Sequence, residues 1–427
     1  MAVSRPSGEF PVPPPGEARD SGEVKQQPGD KPLVNPLRRY GGIADLRRRA
    51  KRRVPGFAFD FVDRGNRLAL ARNRSALDAI EVVARYGHGH PVASSEVILL
   101  GRRYAAPIGV APMGMGGLIW SGAEEYLAAA AQAAGIPYCL ATPGAASIER
   151  IAGIAPDSFW FQTGSAPRND FAITVDLARR ARDAGAHVLL ATIDTPVSPQ
   201  RPREALTFPF RPSLRTILSI AASPAWLMQI MRRRAPRFEN IVAYAGDNAS
   251  NAKINRAGLT ELRGGISWDA VHRLRDLWPR ALVVKGVQHP ADVDRVLSIG
   301  ADGLVVSNHG ARQTDFAPAT VDLLPAIVER VAGRATILMD GGVRSGFDVV
   351  KALALGATGV LAGRPFLYGV GALGEPGASY VVDMMVTDIR DAMAQIGAFD
   401  CAAVRDAIVR HPGAYSFASV RDEQDRS

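Results

Sequence analysis

The chain has 427 residues, 47% of them apolar, a formal net charge of +9 and only two cysteines. The apolar fraction suffices for a large core, and two isolated thiols, Cys139 and Cys401, exclude both a disulfide framework and a cysteine metal site, which points to a reducing, cytoplasmic setting. The positive charge admits anionic ligands or an anionic membrane surface, whereas the lack of any zinc finger, RNA-binding aromatic motif or basic repeat argues against nucleic acid.

No apolar run follows Met1, so no secretory signal is expected. Residues 1–36 hold eight prolines among glycines and mixed charges. They carry too little apolar surface to offset ordering entropy and are expected to form a disordered tail. Residues 37–106 read as a cap. It comprises a basic helix at 43–53, a second helix at 56–63 carrying Phe57, Phe59 and Phe61, and a hairpin lid over about 92–104 that turns near Gly101.

From Pro107 to about residue 400 the pattern alternates. Apolar runs at 107–111, 137–141, 159–163, 187–193, 281–284, 303–307, 336–339 and 359–361 are separated by helical periods such as 124–134, 171–184, 268–277 and 320–331. Eight continuous apolar strands with helical crossovers predict a closed parallel TIM (β/α)8 barrel, of the α/β class. An open dinucleotide-binding sheet is disfavoured, because no G-x-G-x-x-G follows the first strand. The rhythm breaks once, at an insertion of about 197–265 after the fourth strand. It contains an apolar stretch at 217–231 that includes Pro224 and Trp226 and runs into Arg232, Arg233 and Arg234. That stretch is too short to span a bilayer. It would lie in a membrane interface with Trp226 at headgroup depth, or else cover the barrel mouth or a subunit contact. Residues 401–427 form a C-terminal extension.

Barrel enzymes carry their chemistry at the C-terminal ends of the strands. Those ends here supply Gln162, Thr192, Asp194, Lys285, Ser307, His309, Asp340, Arg344 and Arg364. Core positions would be apolar, so a ring of polar side chains at one mouth marks a site. Gly341, Gly342 and Gly363 permit close backbone approach, and Arg344 and Arg364 offer charged forks. The loops after strands seven and eight are where barrels commonly hold phosphate. Tight turns with surface arginines are the plainer account of either loop alone.

The stretch Ser-Asn-His-Gly-Ala-Arg-Gln-Thr-Asp at 307–315 resembles the signature of FMN-dependent 2-hydroxy-acid oxidases and dehydrogenases. That group includes glycolate oxidase, FMN-dependent lactate dehydrogenase and mandelate dehydrogenase. Ala-Pro-Met-Gly at 111–114, Thr-Ile-Asp-Thr-Pro at 192–196, Val-Lys-Gly-Val at 284–287, Asp340 through Gly346, and Gly-Arg-Pro-Phe at 363–366 agree in order and spacing. The resemblance implies bound FMN and oxidation of a small-molecule hydroxy acid. It makes His309 the base, with Asp194 pairing its imidazolium, and has Arg312 and Arg201 grip the substrate carboxylate. Lys285 would stand beside the flavin ring. Pro112, Met113, Gly114, Thr142, Gln162, Thr192 and Ser307 would contact the flavin, with Asp340, Gly341, Gly342, Arg344, Gly363 and Arg364. A homo-oligomer, a tetramer by resemblance, is implied as well. The electron acceptor is a quinone, another carrier or O2, and Gly114 tilts toward a non-oxygen acceptor.

The sequence departs from this pattern twice. Both active-site tyrosines of the family are missing, replaced by Phe61 and Gly164. Three readings follow: an enzyme for a bulkier, hydrophobic hydroxy acid; a flavin-binding pseudoenzyme; or another FMN barrel enzyme, such as a type 2 isopentenyl-diphosphate isomerase.

Overall fold

The computed structural model divides into two units, residues 1–39 and 40–427. It describes residues 40–416 except 88, 90–91, 165–169, 198–212 and 263. The expected disordered tail therefore lies outside the described residues, as do Arg201 and the last residues of the C-terminal extension.

Eight parallel strands close into a barrel: Ile108–Val110, Tyr138–Ala141, Phe159–Thr163, Val188–Thr192, Ala281–Val287, Gly303–Val306, Thr336–Met339 and Gly359–Ala362. The eighth pairs with the first, Val360 opposite Ile108, which leaves no open edge. The expected TIM barrel is borne out. Several boundaries shift by a residue, and the largest difference is at the fifth strand, which continues past residue 284 to Val287 with an irregularity between Lys285 and Val287.

Why the strands read as unbroken apolar runs is now plain. Alternate residues point into the barrel, where Cys139, Trp160, Leu190, Val283, Val305, Leu338 and Leu361 form one cluster. Their neighbours, such as Phe161, Leu189, Val284 and Leu304, are also buried, as expected where crossover helices cover the outer face of the sheet.

The hairpin Val97–Leu99 and Arg102–Tyr104 closes the N-terminal end of the barrel, opposite the polar mouth. Leu99 packs where Gly359 begins the eighth strand, and Leu100 where Gly303 begins the sixth. Tyr104 reaches into the core and accepts a 2.9 Å hydrogen bond from Trp160 Nε1.

Three helices precede the barrel: α1 (Ile43–Arg53), α2 (Gly56–Asp63) and α3 (Arg67–Asp78). Asp63 at the end of α2 accepts from Arg47 of α1 at 2.6 Å and from the Tyr368 hydroxyl at 2.7 Å. This joins the cap to the helix Arg364–Leu373 that follows the last strand.

The apolar stretch of the insertion forms two helices, Leu214–Ala221 and Pro224–Arg233. Pro224 separates them, because its ring cannot continue the first helix yet suits the first turn of the second. The expectation of Trp226 at headgroup depth is overturned. Trp226 is buried, donates to Leu118 O at 3.1 Å and meets the Phe57 ring edge-on at 5.8 Å. Of the three arginines, Arg233 turns back to Glu125 and the Tyr126 ring. The segment is docked on the barrel rather than hanging free. Among the described residues, no helix is long and apolar enough to cross a membrane.

Candidate active site

The strand-end groups converge on a cavity of about 370 Å³ at the C-terminal mouth. His309 follows the sixth strand in a turn where residues 309, 310 and 311 all have left-handed backbone, φ 56°, 61° and 62°. Its Nδ1 lies 2.9 Å from Asp194 Oδ1, which follows the fourth strand. With Nδ1 donating to the carboxylate, Nε2 is the ring nitrogen left to take a proton. Gly286 makes room for this pair: at φ 107°, any Cβ there would come within 2.6 Å of Asp194 Cβ. Burial pushes the Asp194 carboxyl upward, but the His309 and Lys285 charges prevail and hold it below its ordinary 3.8. Asp194 Oδ2 is buried and has no hydrogen-bond partner among the described residues.

Lys285 lies in the wall of the same cavity. Its Nζ is 3.0 Å from Asp340 Oδ2 and donates to Ser307 Oγ at 2.8 Å, while Ser307 donates to Asp340 Oδ1 at 2.7 Å. Burial alone would lower the Lys285 ammonium; Asp340 and Asp194 outweigh it and raise the group above 10.5, so the lysine stays charged. Gln162 lines the cavity next to Thr192, to whose Oγ1 it donates at 2.9 Å.

Arg312 also lines the cavity. One of its nitrogens donates to the carbonyls of Phe61 and Val62 at 3.0 and 2.9 Å, and its guanidinium lies 5.8 Å from the centre of the Phe61 ring. Phe61 and Gly164, the positions of the absent tyrosines, both face the same space.

Gly341, Gly342, Arg344, Gly363 and Arg364 line the cavity as well. Arg364 is held by three backbone carbonyls, of Val62, Gly310 and Arg64, at 3.0–3.1 Å. Burial, together with Arg312 and Arg344 nearby, pulls it down to about 9. Burial lowers Arg344 as well. Neither has a carboxylate ion pair among the described residues. A guanidinium yields its proton only with great difficulty, so these two cations, Arg364 buried and Arg344 half-buried, make this part of the cavity suited to an anion.

Pro112, Met113 and Gly114 line the cavity, and Pro143 packs so tightly on Gly114 that a Cβ would come within 2.9 Å of it. Two residues expected to contact the flavin, Thr142 and Ser307, are not among those that line the cavity. Thr142 is fully buried and gives its hydroxyl to Gln162 O while accepting from Gly164 N. Ser307 is fully buried within the lysine network. Arg201, expected to assist Arg312, lies outside the described residues. Sequence reasoning passed over Asn73 of α3, which pairs with Asn308 beside the base. The available signal was a polar residue on the otherwise apolar buried face formed by Ala69, Asn73 and Leu77.

A sequence model of the FMN-dependent dehydrogenase family matches residues 50–411. An L-lactate dehydrogenase of Caulobacter vibrioides (strain NA1000 / CB15N) is 37% identical over 377 residues, covering 86% of this chain and 96% of the relative. One from Pseudomonas aeruginosa (strain LESB58) is 34% identical, covering 87% and 98%. Among solved structures, mandelate oxidase with (S)-4-hydroxymandelic acid superposes with a TM-score of 0.74 at 31% identity, covering 87% of this chain and 99% of that one.

The residues present fit FMN. Arg344, Arg364 and the glycines offer the anion site that its phosphate needs, and Lys285 supplies a fixed positive charge in the wall of the same cavity. The chain thus belongs to the FMN-dependent dehydrogenase family, with FMN as its cofactor.

Proposed function

We propose that this chain oxidises a 2-hydroxy acid bearing a bulky apolar substituent to the 2-oxo acid and passes the electrons to a carrier such as a quinone, with O2 as the alternative acceptor. The observation that carries this reading is the His309–Asp194 pair facing the same cavity as Arg312 and Lys285. FMN supplies the two-electron sink. The side chains divide the remaining work. His309 Nε2 takes the hydroxyl proton, and Asp194 stabilises the charge that results. Arg312 holds the carboxylate, and Lys285 keeps positive charge in the wall.

The substrate class rests on the two replaced tyrosines. A hydroxyl bonded to a charged carboxylate contributes about 1.5–3 kcal/mol, and Phe61 and Gly164 have none. What they leave is space beside Pro143, Val197 and Leu262, which suits apolar bulk at about 0.8 kcal/mol per buried methylene. The relatives above are L-lactate dehydrogenases, and a structural neighbour is mandelate oxidase with (S)-4-hydroxymandelic acid; the widened pocket favours the aryl end of that range. A decayed flavin carrier would have no need of His309, Arg312 and Lys285 around one cavity.

Peripheral attachment to an anionic membrane belongs to the same reading. It is supported by Leu214, Ile217, Leu218 and Met231, all exposed on the two insertion helices.

The test is anaerobic bleaching of the flavin by a panel of 2-hydroxy acids. Aryl and long-chain acids should reduce it faster than glycolate or lactate, and His309→Ala should slow reduction about 10²–10⁴-fold while FMN stays bound. Undiminished bleaching in His309→Ala would move the base elsewhere. Fastest reduction by glycolate or lactate would overturn the substrate class.

A further inference from the structure

We propose that Asn73, on α3 outside the barrel, is a positioning residue for the catalytic histidine; the inference rests on His309 acting as the base. The turn that presents His309 is intrinsically unfavourable. Three successive residues are left-handed, and two of them, His309 and Ala311, carry a Cβ that disfavours this backbone. Something must hold the turn closed. Part of the answer is Asn308, whose Oδ1 accepts from Ala311 N at 3.1 Å.

That bond requires the Asn308 amide to face one way, and Asn73 helps to hold that direction. Asn73 Nδ2 donates to Asn308 Oδ1 at 3.0 Å, and Asn308 Nδ2 donates back to Asn73 Oδ1 at 2.8 Å. Both side chains are buried, at 2% exposure, so water is no substitute partner. If the Asn308 amide flipped, its NH2 would meet the Ala311 N–H donor to donor and its oxygen would meet the Pro318 carbonyl, which now accepts from Nδ2 at 3.0 Å. The reciprocal pair and the Pro318 carbonyl together hold the polarity in which Asn308 Oδ1 reinforces the turn, which the Ala311 N to Asn308 O backbone bond at 3.0 Å also closes.

Asn73 is itself fixed against the loop at further points. Asp315 accepts from Leu68 N and Ala69 N at 2.7 and 3.0 Å, fastening the start of α3 to the far end of the loop. Asn66 N donates to Ala311 O at 2.7 Å. On its other side α3 abuts the anion loop, where a Cβ on Gly342 would lie 2.6 Å from Asn73 O. One helix of the cap thus seats both the base and the neighbouring glycine turn. Asn73 touches no substrate, so its effect belongs in the rate of proton removal rather than in affinity.

The experiment uses the full chain loaded with FMN. With Asn73→Ala, flavin reduction at saturating acid should fall about 10²-fold, the cost of misplacing a catalytic group by about an ångström. The dissociation constant for the acid should stay close to wild type. Hydrogen–deuterium exchange should accelerate in the peptide spanning 307–316, a readout independent of turnover. On an Asn308→Ala background, Asn73→Ala should add nothing, because both act through one amide. Asn73→Asp keeps an acceptor but loses the donor to Asn308 Oδ1; it should also slow reduction and loosen the peptide, and it carries the test if the alanine variant fails to fold. Wild-type reduction rates with unchanged exchange, a loss confined to affinity, or multiplicative effects in the double variant would each overturn the proposal. If His309→Ala reduces flavin normally, the assignment of the base fails first; if it is inactive while Asn73→Ala and Asn73→Asp behave as wild type, only the role of Asn73 fails.

Discussion

At Gly164 an added Cβ would meet, among the described residues, Thr142 at 3.6 Å, which is ordinary contact, and the backbone there is outside the left-handed region. Larger side chains are therefore tolerated where this one chain has none, and the position is free to tune the pocket. Gly164→Tyr should return a hydroxyl to the carboxylate and fill part of the cavity. The expected outcome is a shift of preference toward small acids by about 10-fold or more, the equivalent of one hydrogen bond to a charged group, measured as the ratio of flavin-reduction rates for lactate and an aryl acid. An unchanged ratio would show that the space at 164 does not meet the substrate. Other glycines are not free in this way: Gly286 and Gly342 sit where a Cβ would collide with Asp194 and with the backbone of α3.

The two insertion helices divide their surfaces between two tasks. Trp226 and Gln229 face inward, Gln229 donating to Ser121 O at 2.9 Å and Trp226 to Leu118 O. Leu214, Ile217, Leu218 and Met231 face out, the last at 71% exposure. Deleting the whole segment would strip cover from the barrel, so the informative variant changes only the outer face. The triple variant Ile217→Ser, Leu218→Ser, Met231→Ser should bind FMN as wild type does yet lose co-sedimentation with anionic vesicles. Each fully buried side chain of this kind is worth about 1.5–3 kcal/mol. High salt should weaken wild-type binding in part, through screening of Arg232 and its neighbours. Equal partitioning of variant and wild type would leave this face to a subunit contact.

Across the whole molecule, the cations at Arg344 and Arg364 make the fold itself responsive to an anion. Burial holds both below their ordinary value, which means that keeping them charged costs stability until a partner arrives. FMN should raise the melting temperature by mass action, about 2.7 kcal/mol at a 100-fold excess over its Kd. Riboflavin, which lacks the phosphate, should stabilise far less at the same concentration, and equal shifts in a thermal melt would remove the phosphate from Arg344 and Arg364. Much of this was legible in the residues alone. The strands were, because burial on both faces demands unbroken apolar runs, and so were the polar strand ends, because a barrel places those ends at one mouth. The helices at 43–53, 56–63, 268–277 and 320–331 also match the structure. What the sequence could not decide was which polar groups face the cavity and which stand behind it. Thr142 and Ser307 are turned into the wall by bonds to Gln162 and Asp340, Trp226 by a carbonyl 108 positions away, and Asn73 reaches Asn308 across 235. Local periodicity determines which face of an element is apolar; only the packing of distant elements determines which buried polar groups find each other.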